Sequence, residues 1–359
     1  MLKVKDLIAL PFEIPLKGSL QWGLAEELRA LEHVLIRVEL SDGSIGIAEA
    51  TPRPSIYGET QASIVAIVEM HLAPLLREAE IGSFQCVVNL SKRMDLIKNN
   101  NTAKGATDMA LHQALCRATG KTLAQHLGAT RERIRLSYIV STGAADAVLA
   151  DVAGAYRAGI RAFKVKIGKD ITRETETIRE LIARYPAAQF YVDANQTLDE
   201  DSAAGILNAL YDLGLIHCEE ALPVERIRAR RALRKGCRMP IIADDSAFTP
   251  EDLQRELAFD TFDILNIKTA RTGFSQSMTM MESCVKAGKG VMVGSQASSL
   301  LGCLHAAAFA AQQAVNCASE CSFFLKTDAD LSLAPPIKEG WLYLAEAGSA
   351  LDRLIEALI

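Results

Sequence analysis

"AFKVKIG", residues 162–168, places two lysines, Lys164 and Lys166, inside an otherwise apolar run. Read as a strand, the run projects residues i and i+2 from one face. The two ammonium groups are then neighbours. On a buried strand that arrangement is costly unless anions compensate it.

Working outward, the surrounding chain repeats this pattern. From about residue 134, short apolar runs alternate with helix-length segments: "IRLSYIV", "AFKVKIG", "QFYVDAN", "GLIHCEE", "MPIIADD", "FDILNIK", "GVMVGSQ" and "AVNCASE". Eight strand candidates separated by helices predict a parallel sheet of α/β class, closed into a (β/α)8-type barrel. Charged residues end most of the runs: Lys164 and Lys166, then Asp193, Glu219, Asp244 and Lys268. From Lys166 onward the steps are 27, 26, 25 and 24 residues, about one βα unit each. Residues one unit apart reach the same rim, where barrel enzymes hold their active sites.

The preceding part reads as a separate α+β unit. "HVLIRVEL" (33–40) is a strand, and "SDGSIGIAEA" (41–50) supplies an Asp-Gly turn and a return strand. Helical patterns follow at about 59–79, 83–98 and 103–117, the last rich in small residues suited to close packing. The expected organisation is a capping domain over 1–125, the barrel over 126–321, and a C-terminal segment, 322–359, that returns to the cap.

Composition narrows the function classes. The chain has 359 residues, 49% of them hydrophobic, with a formal charge of −5, so a large core is feasible and bulk attraction to nucleic acid is absent. No apolar stretch of about 20 residues reads as a membrane span, and the N-terminus lacks a cleavable signal pattern. A cytoplasmic location is the expectation. Eight cysteines without CxxC spacing read as reduced thiols.

Three clustered carboxylates repel one another unless a cation sits among them. Asp and Glu oxygens favour a hard divalent ion, with Mg2+ the first choice and Mn2+ the second. Such an ion binds a small-molecule carboxylate substrate and stabilises the enediolate formed when its α-carbon loses a proton. Lys166 and Lys268, across the site from each other, are the candidate proton carriers. Lys164 is placed to depress its neighbour's pKa and to contact the substrate. Glu219 and Glu220 adjoin, and the spacing selects Glu219 as the inward one. Asp244 and Asp245 raise the same question. Asp193-Ala194-Asn195 also reads as a helix N-cap, and Arg271 either as a solvated loop residue or as a brace behind the site. Gly294 and Ser295 open the loop after the seventh strand, where backbone N–H groups bind anions. Gln296 adds a polar contact there, and Tyr57 is a candidate cover over the substrate.

"KVKIG", "VDAN", "CEE", "IIADDS" and "NIKTARTG", in that order, resemble the enolase superfamily, muconate lactonizing subgroup. "TPRPSIYGETQ" (51–61), "IKTARTGF" (267–274) and "GSQASSLLG" (294–302) resemble one branch of the muconate cycloisomerases. The resemblance implies Asp193, Glu219 and Asp244 as metal ligands and Lys166 and Lys268 as acid and base. Asn195 and Asp245 then stand behind the ligands. It also implies a lid from about 17–30 and 51–59. The expected reaction is metal-dependent interconversion of cis,cis-muconate and muconolactone. The same motifs recur in racemases or epimerases of N-acylamino acids and dipeptides, and in o-succinylbenzoate synthases, so these remain alternatives. A metal-free Schiff-base aldolase is a more distant one. Dipeptide epimerases carry a D-x-D pair on the eighth strand to hold the substrate ammonium. Here "ASECS" (318–322) offers only Glu320, a candidate substrate contact. Barrels of this kind often form homo-oligomers.

Overall fold

The computed structural model describes residues 1–22 and 26–359. Strands β1 (Leu2–Trp22) and β2 (Glu26–Leu40) form a long antiparallel hairpin. The Asp42-Gly43 turn, with Gly43 at φ 86°, returns the chain as β3 (Ile45–Ala50), and β4 (Glu80–Ile81) pairs on the far side of β1. The small residues of the helix Asn101–Thr119 let it press onto this sheet. A side chain at Gly46 would place its Cβ 2.0 Å from the Ala110 carbonyl oxygen. Part of the expected 17–30 lid, residues 23–25, lies outside the described residues.

Strand β5 (Arg133–Arg135) leads into the second unit. Strands β6 (Tyr138–Val140), β7 (Ala162–Lys166), β8 (Gln189–Asp193), β9 (Cys218–Glu219), β10 (Ile241–Ala243), β11 (Ile264–Ile267) and β12 (Gly290–Val293) follow. They form one parallel, seven-stranded sheet in sequence order, each joined to the next through helices. All five residues of β7 are buried. Phe163 faces outward and stacks on Phe190 at 5.5 Å, which leaves Lys164 and Lys166 together on the inner face.

The eighth expected strand differs. Residues 314–320 make isolated parallel bridges, Val315 to Val291 and Ser319 to Leu136, in place of a ladder. They strap β12 to the residues just before β6. Asn316 is the local reason: its side-chain Oδ1 accepts from Val291 N at 3.1 Å, where a ladder would use a backbone carbonyl. Beyond it, residues 323–328 touch the cap, with Asp328 N donating to the Pro15 carbonyl at 2.8 Å. Strand β13 (Trp341–Tyr343) pairs with β5, and the final helix, Leu344–Leu358, packs on the helix Leu300–Ala310.

The two units lock together where the helix Asn101–Thr119 meets the helix Thr269–Lys286. The latter kinks at Gly273 (φ 60°, ψ −172°). Asp108 from the facing helix restarts it by accepting from Phe274 N at 2.6 Å and Ser275 N at 3.0 Å. A Cβ at Gly273 would sit 2.5 Å from Asp108 Oδ2. Gly273→Ala therefore combines a left-handed backbone penalty with overlap in the core. It should cost at least about 2 kcal/mol, measurable as a lowered denaturation midpoint.

Buried histidines at this junction set an acid limit. Burial pushes His112 down to about 3 and His305 down to about 4. Unfolded imidazole takes a proton near 6.5 and the folded groups resist it, so stability is present above 6.5 and falls as pH drops. Between pH 7.5 and 5.5 each group removes about 1.4 kcal/mol. Asp108, pushed up to about 6 by burial against its hydrogen bonds from Ser275 and Phe274, acts oppositely and returns roughly 1 kcal/mol. Together these three groups account for a loss of about 2 kcal/mol over that range, and denaturant unfolding should show a shallower pH dependence in His305→Leu than in wild type.

Candidate active site

A cavity of about 940 Å³ opens between the cap and the strand ends of the sheet. Lys164, Lys166, Asp193, Asp244 and Lys268 line it from the sheet side, with Leu20, Arg53, Ser55 and Ile56 from the cap. Glu219 lies beneath its floor, fully buried. The three carboxylates stand on or just after the adjacent strands β8, β9 and β10. Lys166 on β7 and Lys268 after β11 bracket them on either side, as the strand order requires.

Each acid is engaged by a cation. Lys164 Nζ lies 3.0 Å from Glu219 Oε1, 3.5 Å from Asp193 Oδ2 and 2.5 Å from Glu320 Oε1. Lys166 Nζ donates to Asp193 Oδ2 and to Asn195 Oδ1, both at 2.7 Å. Lys268 Nζ donates to Asp244 Oδ2. Arg271 donates to the Asp244 carbonyl at 2.8 Å, and its Nη1 stands 3.1 Å from Asp244 Oδ1.

The charges shift accordingly. Burial alone would raise Asp193, but Lys166 and Lys164 outweigh it and hold the carboxyl below its usual range. Asp244 is likewise held low against burial by Lys268 and Arg271. Glu219 is pushed well above its usual value, because burial outweighs Lys164. Lys164 is raised despite burial by Glu219, Glu320 and Asp193. Lys268 is also raised: burial lowers it, but Asp244 outweighs burial. A lowered lysine pKa was the expectation for a base, so Lys268 departs from it, through its carboxylate neighbour.

The donor set suits a hard divalent ion, since every candidate ligand atom is a carboxylate oxygen. Asp244 Oδ1 is buried with no hydrogen bond, although Arg271 Nη1 pairs with it at 3.1 Å. Among the described residues no three acidic, histidine or cysteine side chains are already gathered into a cation cage. Lys164 is shared by Asp193 and Glu219, while Lys166 pairs with Asp193 and Lys268 with Asp244.

Behind this set, Asn195 N donates to Asp193 Oδ1 at 2.9 Å, so Asn195 orients both Asp193 and Lys166. Asp245 lines the cavity and lies 3.9 Å from Arg271 Nη1. Arg271 is buried, its guanidinium 4.5 Å over Phe248, as a brace and not a solvated loop residue. Ser295 and Gln296 line the cavity.

Three expected substrate contacts stand elsewhere. Glu320 is enclosed: Lys164 Nζ, Tyr191 OH at 3.0 Å and Ser295 N at 2.9 Å engage both oxygens. Gly294 lies outside the cavity lining, and its N–H, the expected anion donor, already donates to the Ile267 carbonyl at 2.8 Å. Tyr57 packs edge-on against Phe248 at 5.3 Å, outside the cavity lining.

Sequence reading missed Glu220 and Arg53. Glu220 turns away from the cavity yet accepts from Asp244 N at 2.6 Å and Ser246 N at 2.9 Å, which sets the orientation of Asp244. Its adjacency to Glu219 was the available signal. Arg53 sits within "TPRPSIYGETQ", but nothing in that stretch marks it as buried.

An acidic strand-end cluster bracketed by two lysines, beneath an α+β cap, marks an enzyme built on a parallel α/β barrel sheet. The chain belongs to the enolase superfamily. It matches the mandelate racemase / muconate lactonizing enzyme N-terminal domain over residues 25–128 and the enolase C-terminal domain-like family over 147–348. Among curated relatives, the L-Ala-D/L-Glu epimerase of Bacillus subtilis is 29% identical over 85% of this chain and 83% of its own length. The D-Ala-D/L-Ala epimerase of Cytophaga hutchinsonii is 28% identical over 87% and 83%. Among solved structures, the muconate lactonizing enzyme of Mycobacterium smegmatis complexed with muconolactone is 33% identical, with a TM-score of 0.90 over 95% of this chain and 94% of its own. The protein is therefore an enzyme of the isomerase, epimerase and lyase kind. Members of the superfamily bind a divalent metal ion, typically Mg2+. Among the described residues no helix is long and apolar enough to cross a membrane.

Proposed function

We propose that this enzyme moves a proton at the carbon α to a substrate carboxylate, with Lys166 and Lys268 as the two proton carriers. The observation that supports this is their placement on β7 and after β11, on either side of Asp193, Glu219 and Asp244. Those three acids would hold the divalent ion. When bound, the ion supplies positive charge that stabilises the anion formed at the α-carbon and loosens the neighbouring lysines' hold on their protons.

One lysine, neutral, takes the α-proton from one face. The other, protonated, returns a proton to the opposite face, and the configuration inverts. Asn195 and Asp193 fix Lys166 by two hydrogen bonds, and Asp244 fixes Lys268. Lys164 stays charged among three acids and adds a fixed positive potential beneath the substrate carboxylate. Racemisation or epimerisation is thus the first reading. The epimerase relatives support it ahead of the cycloisomerase expected from sequence motifs.

Cycloisomerisation of cis,cis-muconate is the second reading, on a specific observation. Glu320 is enclosed, and in place of a second acid two positions on, Ser322 donates to the Ser137 carbonyl at 2.6 Å. The eighth segment therefore offers no free carboxylate pair for a substrate ammonium. In this reading one carboxylate adds across the far double bond and one lysine protonates the α-carbon of the other.

A turnover screen with Mg2+ and Mn2+ over dipeptides, N-acylamino acids, muconates and muconolactones tests both readings. Inversion at an α-carbon supports the first and lactone formation the second. Absence of α-proton exchange across the whole panel contradicts the shared chemistry.

A further inference from the structure

A second cavity, of about 580 Å³, opens at the opposite end of the parallel sheet, where Ala162, Gln189 and Ile264 begin β7, β8 and β11. It shares no lining residue with the catalytic cavity. Tyr191, Ile242, Ile264 and Met292 pack into an apolar plug inside the sheet. Tyr191 lines the second cavity, and its hydroxyl is engaged by Ser137 Oγ at 2.9 Å and by Glu320 Oε1 at 3.0 Å. The proposed proton transfer makes no use of this space.

Arg131 and Arg135 line this cavity, and no carboxylate does. Arg131 donates to the Gln313 carbonyl at 3.1 Å. Among the described residues the Arg135 side chain has no hydrogen bond, ion pair or ring contact, and its Nε is buried without an acceptor. Its neighbours differ: Arg133 lies 4.4 Å over the Trp341 ring and Arg161 3.9 Å over Tyr156. Ser319 adds a second open group. It is 1% exposed, lines the same cavity, and its hydroxyl has no partner. Buried donors left without acceptors are costly. A guanidinium matches a carboxylate with two parallel hydrogen bonds.

We propose that this cavity binds a small organic anion, with its carboxylate on Arg135 and Arg131 and its apolar body against Ile216, Ile264 and Met292. Apolar walls with a few convergent polar groups are the usual build of a small-molecule site. Arg135 supplies the planar fork, the Ser319 hydroxyl a further donor, and Arg131 a second positive charge. The site is distinct from the catalytic one, and no residue proposed to move a proton takes part in it.

Trp341 lines the cavity and reports on it, since Trp22 is the chain's other tryptophan and Trp22→Phe silences that one. Fluorescence titrations of the Trp22→Phe protein with Mg2+ compare hexanoate, its neutral amide hexanamide, and inorganic phosphate. Hexanoate should give a saturable change, at least tenfold tighter than hexanamide and tighter than phosphate. Adding Arg135→Gln should abolish the preference for the acid over the amide, with the protein shown to be folded by its thermal melt. Arg131→Gln serves the same purpose if the first variant does not fold. Adding Asp193→Asn, which damages the catalytic site, should leave the hexanoate titration within about threefold. Equal binding of acid and amide overturns the proposal and needs no arginine variant. So does a preference that survives in the folded arginine variant. Phosphate binding as tightly as hexanoate overturns the apolar-bodied ligand, and a signal lost in Asp193→Asn assigns the binding to the catalytic cavity instead.

Discussion

Lys166→Arg and Lys268→Arg should each lower kcat by about 10²–10⁴-fold while leaving the fold intact. Arginine keeps a positive charge opposite Asp193 or Asp244, so the buried carboxylates remain compensated. It does not give up a proton near neutral pH, so a proton carrier is lost. Alanine at either position mixes this loss with an unpaired buried acid and would cost stability as well. The arginine pair therefore separates chemistry from folding. Thermal melts within a few degrees of wild type, together with the kinetic loss, are the expected result. A kcat within tenfold of wild type in either variant contradicts a proton-carrier role for that lysine.

Chelation has the second large effect. Removing divalent ions with EDTA should reduce turnover by at least about 10³-fold, the scale of several kcal/mol of charge stabilisation. Added Mg2+ should restore it. Asp193→Asn should stay impaired at saturating Mg2+, because it removes a ligand charge and also the partner of Lys166. Metal content measured on the purified protein gives an independent readout. Undiminished turnover in EDTA would remove the ion from the account and leave the three buried acids to their lysines alone.

The barrel rhythm and the strand-end charges were legible in the sequence because both follow a period of one βα unit. Alternation put Lys164 and Lys166 on one shared face, and the strand-end acids spaced by one βα unit marked that face as the inner one. The eighth strand was not legible as a bridge, because Asn316 substitutes a side-chain oxygen for a ladder carbonyl. Glu320 looked available because its partners, Lys164 and Tyr191, lie more than 125 residues away in the chain. Arg53 was hidden for the same reason, since Gln296, which fixes it, is 243 positions distant. Local pattern reports which face a residue takes. It does not report whether a charge on that face already has a partner.

Proton exchange in deuterium oxide, followed by NMR at the α-carbon of a chiral substrate found in the screen, probes the central claim most directly. Wild-type enzyme should exchange the α-proton of both antipodes, the Lys166→Arg variant only one, and the Lys268→Arg variant only the other. Retention of the same antipode by both variants would contradict two lysines addressing opposite faces of one carbon.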